Sequence, residues 1–169
     1  MQIIEMTESD CRETLVRNTI GRLACSRHDQ PYILPIYFVY ESDLLFAFTT
    51  DGQKVEWMRT NPKVCVEIDE ISNHFQWTSV VLRGRYRELP DLPPFAEERD
   101  HARKLLATRS LWWQTAYASH QLKSPRDVLT PLFYCIEIDS MTGHRAAASV
   151  GESEDAAGLT PSMAISTGE

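Results

Sequence analysis

The sequence holds no apolar run approaching the ~18 residues of a membrane-spanning helix. Its first residues, MQIIEMTESD, lack the basic-then-apolar order of a signal peptide. Both absences point to a cytoplasmic protein with no membrane partner. Cysteine is sparse: Cys11, Cys25, Cys65 and Cys135 show no Cys-x-x-Cys spacing, so no metal is expected. The thiols read instead as small buried apolar groups in a reducing compartment. Basic residues are outnumbered, 17 Lys and Arg against 24 Asp and Glu, for a net charge of −7. Affinity for a polyanion rests on clustered cations, so no nucleic-acid partner is expected. The glycine-rich loop of dinucleotide folds, the P-loop, the His-Glu-x-x-His helix and the Gly-x-Ser-x-Gly elbow are all missing. Histidines stand singly at 28, 74, 101, 120 and 144, which leaves hydrolysis without obvious machinery.

What is present centres on Tyr32–Lys54, YILPIYFVYESDLLFAFTTDGQK. Two segments rich in aromatic and β-branched residues, Tyr32–Tyr40 and Leu44–Thr50, flank the polar Glu41-Ser42-Asp43, the pattern of a hairpin. Pro35 lacks a ladder donor, so it marks an edge or a bulge of its strand and leaves backbone for a flat ligand to bond. Thr50-Asp51-Gly52-Gln53 can form a capping box at a helix start, with Lys54 in the first turn. A cation beside the free N–H groups of a helix start is a candidate anion site, and Lys there opposes the helix dipole.

Around this stretch, Met6–Asn18 reads as a helix capped by Thr7, with Asp10 as the acid of its first turn and Cys11, Leu15 and Val16 or Ile20 on its apolar stripe. Arg22–Arg27 is a short strand and His28–Pro31 a turn. Gln53–Thr60 is a helix stopped by Asn61-Pro62. Lys63–Asp69 alternates as a strand, Glu70–Gln76 reads as a polar loop, and Trp77–Leu89 as a long strand. That strand sets Trp77, Ser79, Val81, Arg83, Arg85 and Arg87 on one face; Gly84, on the other, suggests a bulge or a close backbone approach. Arg83, nearest the apolar end, is the arginine singled out to bind phosphate. A helix follows Pro94 to about Thr108, and Ser110 caps a second that carries Trp112 and Trp113. Leu132–Ser149 holds the last strand, and from Ala146 the chain loses its bulky periodicity. Six strands with short connections make a mainly β, antiparallel barrel at residues 1–145, with short helices over its openings and a weakly ordered tail at 146–169.

The order of Gly21-Arg22-Leu23-Ala24, Gln30-Pro31-Tyr32 with Pro35-Ile36, Thr49-Thr50-x-Gly52-x-Lys54, Asn61-Pro62-x-Val64-Cys65 and Trp77-x-Ser79-Val80-Val81-x-x-Gly84-Arg85 resembles the flavin-binding split barrels related to pyridoxamine 5'-phosphate oxidase. The branch it resembles most includes the 5-nitroimidazole reductases. The resemblance spans about residues 5–145. It implies a six-stranded split barrel and a homodimer with FMN at the subunit interface. Thr49, Thr50 and Lys54 would hold the ribityl phosphate, with Arg83 or Arg85 assisting. Pro35, Ile36 and Tyr37 would run along the ring, Trp77 and Ser79 would lie nearby, and Trp112 or Trp113 would close the site from the other subunit. The implied activity is an FMN-dependent reductase of a small planar acceptor such as a nitroaromatic. The alternatives are a carrier of flavin (FMN or FAD), haem or deazaflavin, with His74 or His144 as haem ligand, and a noncatalytic dimeric interaction barrel. No Lys or Arg follows Arg145, which argues against a true pyridoxamine 5'-phosphate oxidase.

Overall fold

Apolar alternation with period two builds seven strands, joined by two-residue turns wherever a polar pair interrupts it. The computed structural model describes residues 1–108 and 130–147. In chain order these form β1 (Gln2–Glu5), α1 (Glu8–Arg17), β2 (Ile20–Arg27), β3 (Gln30–Glu41), β4 (Leu44–Thr49), α2 (Gln53–Thr60), β5 (Lys63–Asn73), β6 (Gln76–Leu89), a 3-10 turn (Pro93–Phe95), α3 (Ala96–Ala107) and β7 (Leu132–Ala147). The expected helix with Trp112 and Trp113, and the tail from residue 148, lie outside the described residues. Ala146 and Ala147 belong to β7, pairing with Ile3 and Gln2.

All pairings are antiparallel, in the order β1-β7-β4-β3-β2-β5-β6, and β6 also pairs with β7. Six strands therefore close into a ring, the mainly β split barrel expected, and β1 adds a seventh on the far half of β7. The β2–β3 and β3–β4 turns put non-glycine residues at positive φ, His28 and Asp29 (51° and 61°) and Ser42 and Asp43 (50° and 64°). That is the twist-matched turn for a two-residue hairpin.

The barrel is split where β3 leaves β4. Phe38 to Glu41 pair with β4, whereas Gln30 to Tyr37 pair only with β2. The Phe38 N–H donates to the Thr19 carbonyl on the β2 side at 2.9 Å. Backbone groups alternate sides along a strand, so those of residues 31, 33, 35 and 37 face the split. Pro31 and Pro35 thus stand where no ladder partner loses a donor. Pro35 marks an edge as expected, but no bulge: it faces Arg22 in regular register.

Two apolar clusters hold the fold. Inside the ring lie Leu23, Cys25, Ile36, Phe38, Leu45, Val66, Ile68, Val80, Leu82, Tyr134 and Ile136, closed at one end by Cys11 and Leu15 of α1 and backed by Met58 of α2. Outside it, α3 lays Ala102 and Leu106 over Val39, Phe46, Phe133 and Cys135. The long β7 is buried on both faces in its first half for this reason. Thr7 caps α1 as expected, and Asp10, expected only as the acid of the first turn, also closes a reciprocal box with it. Thr14 completes the buried stripe of α1; Val16 and Ile20 point outward.

Two local expectations change. Gly52, not Thr50, stands at the N-cap of α2 and supplies no side-chain cap. Its carbonyl accepts from Val55 and Glu56, which makes Gln53 the first helical residue and takes it out of reach of a capping box. The polar loop at Glu70–Gln76 is instead a hairpin whose strands pair out to Asn73 and Gln76, with a register shift after Ile71. Gly84 fulfils both of its readings. A register shift falls between Arg83 and Gly84 against β7, and a Cβ at Gly84 would collide with the Glu137 carbonyl oxygen and sit 2.9 Å from Ile136 Cγ2.

Candidate functional site

β4 ends at Thr49, and after three intervening residues α2 begins and packs beside β2. Thr49 is buried, its hydroxyl donating to the Thr50 carbonyl at 3.2 Å, and Thr50 is half-buried. Lys54 is half-buried as well. Burial lowers its pKa, and nearby Cys25 on β2 offsets part of that effect. Among the described residues no carboxylate forms an ion pair with Lys54; the acids nearest it in sequence look elsewhere, with Asp51 bound to Arg59. Its charge is thus partly removed from water without compensation, an arrangement that costs stability unless an anion joins it.

Sequence reasoning missed the other residues of this end. Arg27, two residues past Cys25, shares its side of β2 and has a buried Nε with no hydrogen-bond partner among the described residues. Tyr32, opposite Cys25, meets Trp57 of α2 edge to face at 5.6 Å between ring centroids. Asn61 ties the exit of α2 to Ser26, donating to its carbonyl at 3.1 Å. The signal for Arg27 was available: a cation at an inward position of an alternating strand. Lys54 at the helix start and Arg27 at the end of β2, two partly buried cations with spare donors, are the groups here that suit a phosphate.

Just outside this end, over the outer face of β2, β5 and β6, lies a cavity of about 410 Å³. Cys25, Ser26, Lys63, Cys65, Arg83 and Asp139 line it. Of the three arginines on β6, Arg87 is held by Glu98 and Glu137 and Arg85 reaches Asp139 at 3.3 Å. Arg83 is exposed and pairs with no carboxylate among the described residues. Burial raises the pKa of the Cys65 thiol directly across from it, partly countered by the Arg83 charge.

The remaining expected residues divide between two places. Pro35 and Tyr37 lie along the split edge of β3, with Ile36 buried between them and turned into the core. Trp77 and Ser79 sit toward the opposite end of the barrel. Trp77 faces Ile71, and six residues of β5 separate Ile71 from Cys65, a rise of about 20 Å. There Ser79 donates to Glu67 at 3.2 Å, and His74 occupies the exposed hairpin turn. Within one chain Lys54 and Trp77 are therefore not neighbours. Trp112 lies outside the described residues. Among those residues no helix is long and apolar enough to cross a membrane.

A family profile described as pyridoxamine 5'-phosphate oxidase matches residues 7–145. The chain belongs to this family. Among pyridoxamine 5'-phosphate oxidase-like relatives, an uncharacterized protein of Rhizobium meliloti (strain 1021) is 39% identical over 143 residues, covering 85% of this chain and 95% of that one. A crystal structure named as an FAD-binding protein of Mesorhizobium loti is 36% identical, with TM-score 0.71, over 88% of this chain and 99% of the other. A structure named for 5-nitroimidazole antibiotic resistance, from Bacteroides thetaiotaomicron, shares the fold at 17% identity and TM-score 0.59, over 86% and 89% of the two chains. The family placement accords with the resemblance read from the sequence.

Proposed function

We propose that this pyridoxamine 5'-phosphate oxidase-like protein binds a flavin nucleotide and acts as a flavin-dependent reductase of a small planar acceptor, such as a nitroaromatic. The observation that carries the reading is the uncompensated, half-buried Lys54 at the start of α2, with the orphaned Arg27 Nε on the same end of the barrel. The relative from Mesorhizobium loti that is named FAD-binding supports a flavin and favours FAD over FMN.

In this reading Lys54 and Arg27 hold the phosphate that the ribityl chain carries, and Thr50 borders it. The split edge of β3 runs beside the ring, where the Ile33 N–H and the carbonyls of Ile33 and Pro35 face outward and offer hydrogen bonds to its polar rim. The bound flavin supplies the hydride or electron transfer itself, as cofactors do. The chain orients it and shields one face. No side chain is asked to act as acid or base.

A second copy of the chain completes the site. Ile20 and Ile33, 62% and 63% exposed, share the outer face of β2 and β3 with Pro35. An apolar surface of that kind supports a homodimer. Across a two-fold axis, Trp77 and Ser79 of one copy become available to the Lys54 end of the other.

The test is an absorbance spectrum of purified protein during titration with FAD and FMN, followed by a reductant and then a nitroaromatic. Flavin bands that bleach on reduction and return with the acceptor, and that weaken in Lys54→Ala, are expected. Absence of flavin binding in the wild type overturns the reading. A Soret band instead, abolished by His74→Ala or His144→Ala, moves the assignment to haem.

A further inference from the structure

The cavity over β2, β5 and β6 carries a charge pattern that the fold does not explain. On the outer face of the sheet Lys63 stands directly across from Arg85, and Arg83 directly across from Cys65, the next outward position. Like charges opposite one another on a sheet destabilise it. The one acid lining the cavity, Asp139, is engaged by Arg85. Glu67, next outward along β5, is taken by Arg22 and Ser79. Lys63 and Arg83 are thus left without a carboxylate among the described residues, in a chain whose net charge is −7. Two cations without a carboxylate, lining a concavity whose one acid is already engaged, on a protein with acids to spare, form a site for an anion.

Position and shape say which anion. Cys25 is the common neighbour: its buried thiol lies near Lys54 on the inner side of β2 and its residue borders the cavity on the outer side, so the two places adjoin the same end of β2. At about 410 Å³ the cavity is of the size that takes a nucleotide-sized group, not a single inorganic ion. Its floor is backbone and small side chains, Ala24, Ser26, Val64, Cys65 and Gly84, which present flat area to an aromatic base. The register shift between β6 and β7 falls beside Arg83 and leaves Asp139 of β7, at the cavity wall, as the residue without a partner on β6.

We propose that this cavity is a second anion subsite that receives the ADP portion of FAD, with Arg83 and Lys63 as its phosphate ligands and Lys54 holding the flavin-side phosphate. The proposal rests on the flavin reading above and adds to it a basis for choosing the dinucleotide over FMN.

The experiment measures dissociation constants of FAD, FMN and free ADP by calorimetry for the wild type and for Arg83→Gln, Lys63→Gln and Lys54→Gln. Arg83 and Lys63 are exposed strand residues, and a circular dichroism melt confirms that their variants fold. The wild type is expected to bind FAD at least tenfold tighter than FMN. Arg83→Gln and Lys63→Gln should each weaken FAD and ADP by about tenfold, the loss typical of a charge-assisted contact, and leave FMN within about twofold. Lys54→Gln should weaken FAD and FMN alike. Equal FAD and FMN affinities, or FAD and ADP affinities indifferent to Arg83 and Lys63, overturn the subsite while leaving flavin binding intact. ADP binding that needs Arg83 and Lys63 in a protein that takes no flavin supports the subsite and overturns the flavin reading instead.

Discussion

Gly84→Ala is the perturbation that most directly links the fold to the site. A methyl group at this position enters the barrel where β6 crosses β7, colliding with the Glu137 carbonyl oxygen and lying 2.9 Å from Ile136 Cγ2. The carbonyl belongs to a paired strand and cannot rotate aside, so relief must come from displacing one strand of the ring. Overpacking a core typically costs ~1–3 kcal/mol, and a backbone obstacle places this case near the top, at about 3 kcal/mol. A domain of this size loses ~2–4 °C per kcal/mol, so the melting temperature should fall by about 6–12 °C. Urea unfolding should show a lower midpoint at unchanged slope. Gly52→Ala is the internal control: a Cβ there meets nothing within 4 Å, so it should stay within about 0.5 kcal/mol of wild type. Because Arg83 immediately precedes Gly84 and both line the cavity, a displaced β6 should also weaken ADP binding in whatever fraction remains folded. A Gly84→Ala protein as stable as the Gly52→Ala protein would refute the close approach.

Other consequences follow from the charged groups and the buried phenol. Arg87 joins α3 to the barrel through Glu98 (2.7 and 2.8 Å) and Glu137 (2.6 Å), and its removal as Arg87→Gln should cost about 1 kcal/mol after allowing for partial exposure. The Arg87 hydrogen bonds lower the pKa of Glu98, so that stabilisation is complete above the unfolded carboxylate value of ~4.3 and is lost as pH falls through the depressed folded one. The gap between wild type and Arg87→Gln in chemical denaturation should therefore close between about pH 5 and pH 3; a gap that persists unchanged into acid contradicts it. Lys54 has the opposite sign: its folded pKa is lowered, so the flavin-free wild type should gain stability as pH rises through that depressed value toward the unfolded value of ~10.4. Lys54→Met should be more stable than the wild type at pH 7, lack that slope, and bind flavin more weakly, measured by thermal melts from pH 7 to 10. Tyr134 is fully buried with an unpartnered hydroxyl, so Tyr134→Phe should leave stability unchanged or raise it by up to about 1 kcal/mol. A clear loss in that variant would reveal a hydrogen bond to the hydroxyl.

How much of this was legible in the sequence depends on the range of the interaction that encodes it. Features written within four or five residues were readable: the Thr7 cap, the two polar pairs that make hairpins, the Asn61-Pro62 stop, and the inward set Val80, Leu82, Gly84 and Tyr86 of β6. Errors fell where two local rules competed. Thr50 and Gln53 have the spacing of a capping box, yet β4 runs on through Thr49 to pair with β7, and the helix can start only after the chain has turned, at Gly52. Polar composition suggested a loop at Glu70–Gln76, but the backbone there finds partners across the hairpin, and ladder hydrogen bonds outweigh side-chain preference. The four residues of β1 carried too weak a pattern to stand out alone; they become a strand because β7 extends past β4 and needs a partner.

The site was legible in kind but not in arrangement, and the reason is register. Lys54 and Arg83 were each identifiable as a cation out of place, the first at the wrong end of a helix dipole and the second at the apolar end of its strand. Their partners were not. Arg27 becomes significant only when α2 folds back over β2 and leaves its Nε buried, and Lys63 only when pairing sets it across from Arg85. Neither relation exists in the linear sequence, because a shift of one residue in either pairing would turn these side chains to the other face. Register also separates what proximity in a motif had joined: Ser79 and Arg83 are four residues apart, yet one lies among acids at Glu67 and Asp69 and the other across from Cys65 in the cationic cavity. A barrel that keeps Lys54 and Arg83 at one end and its exposed aromatic hairpin at the other does not bring them together within one chain. In the proposed homodimer, a second copy related by a two-fold axis would bring the two ends together. The oligomeric state would then decide whether the protein turns over a substrate or only holds a nucleotide. A monomer by sedimentation that still binds FAD through Lys54 and Arg83, but passes no electrons to a nitroaromatic, would locate the missing half of the site in that second copy.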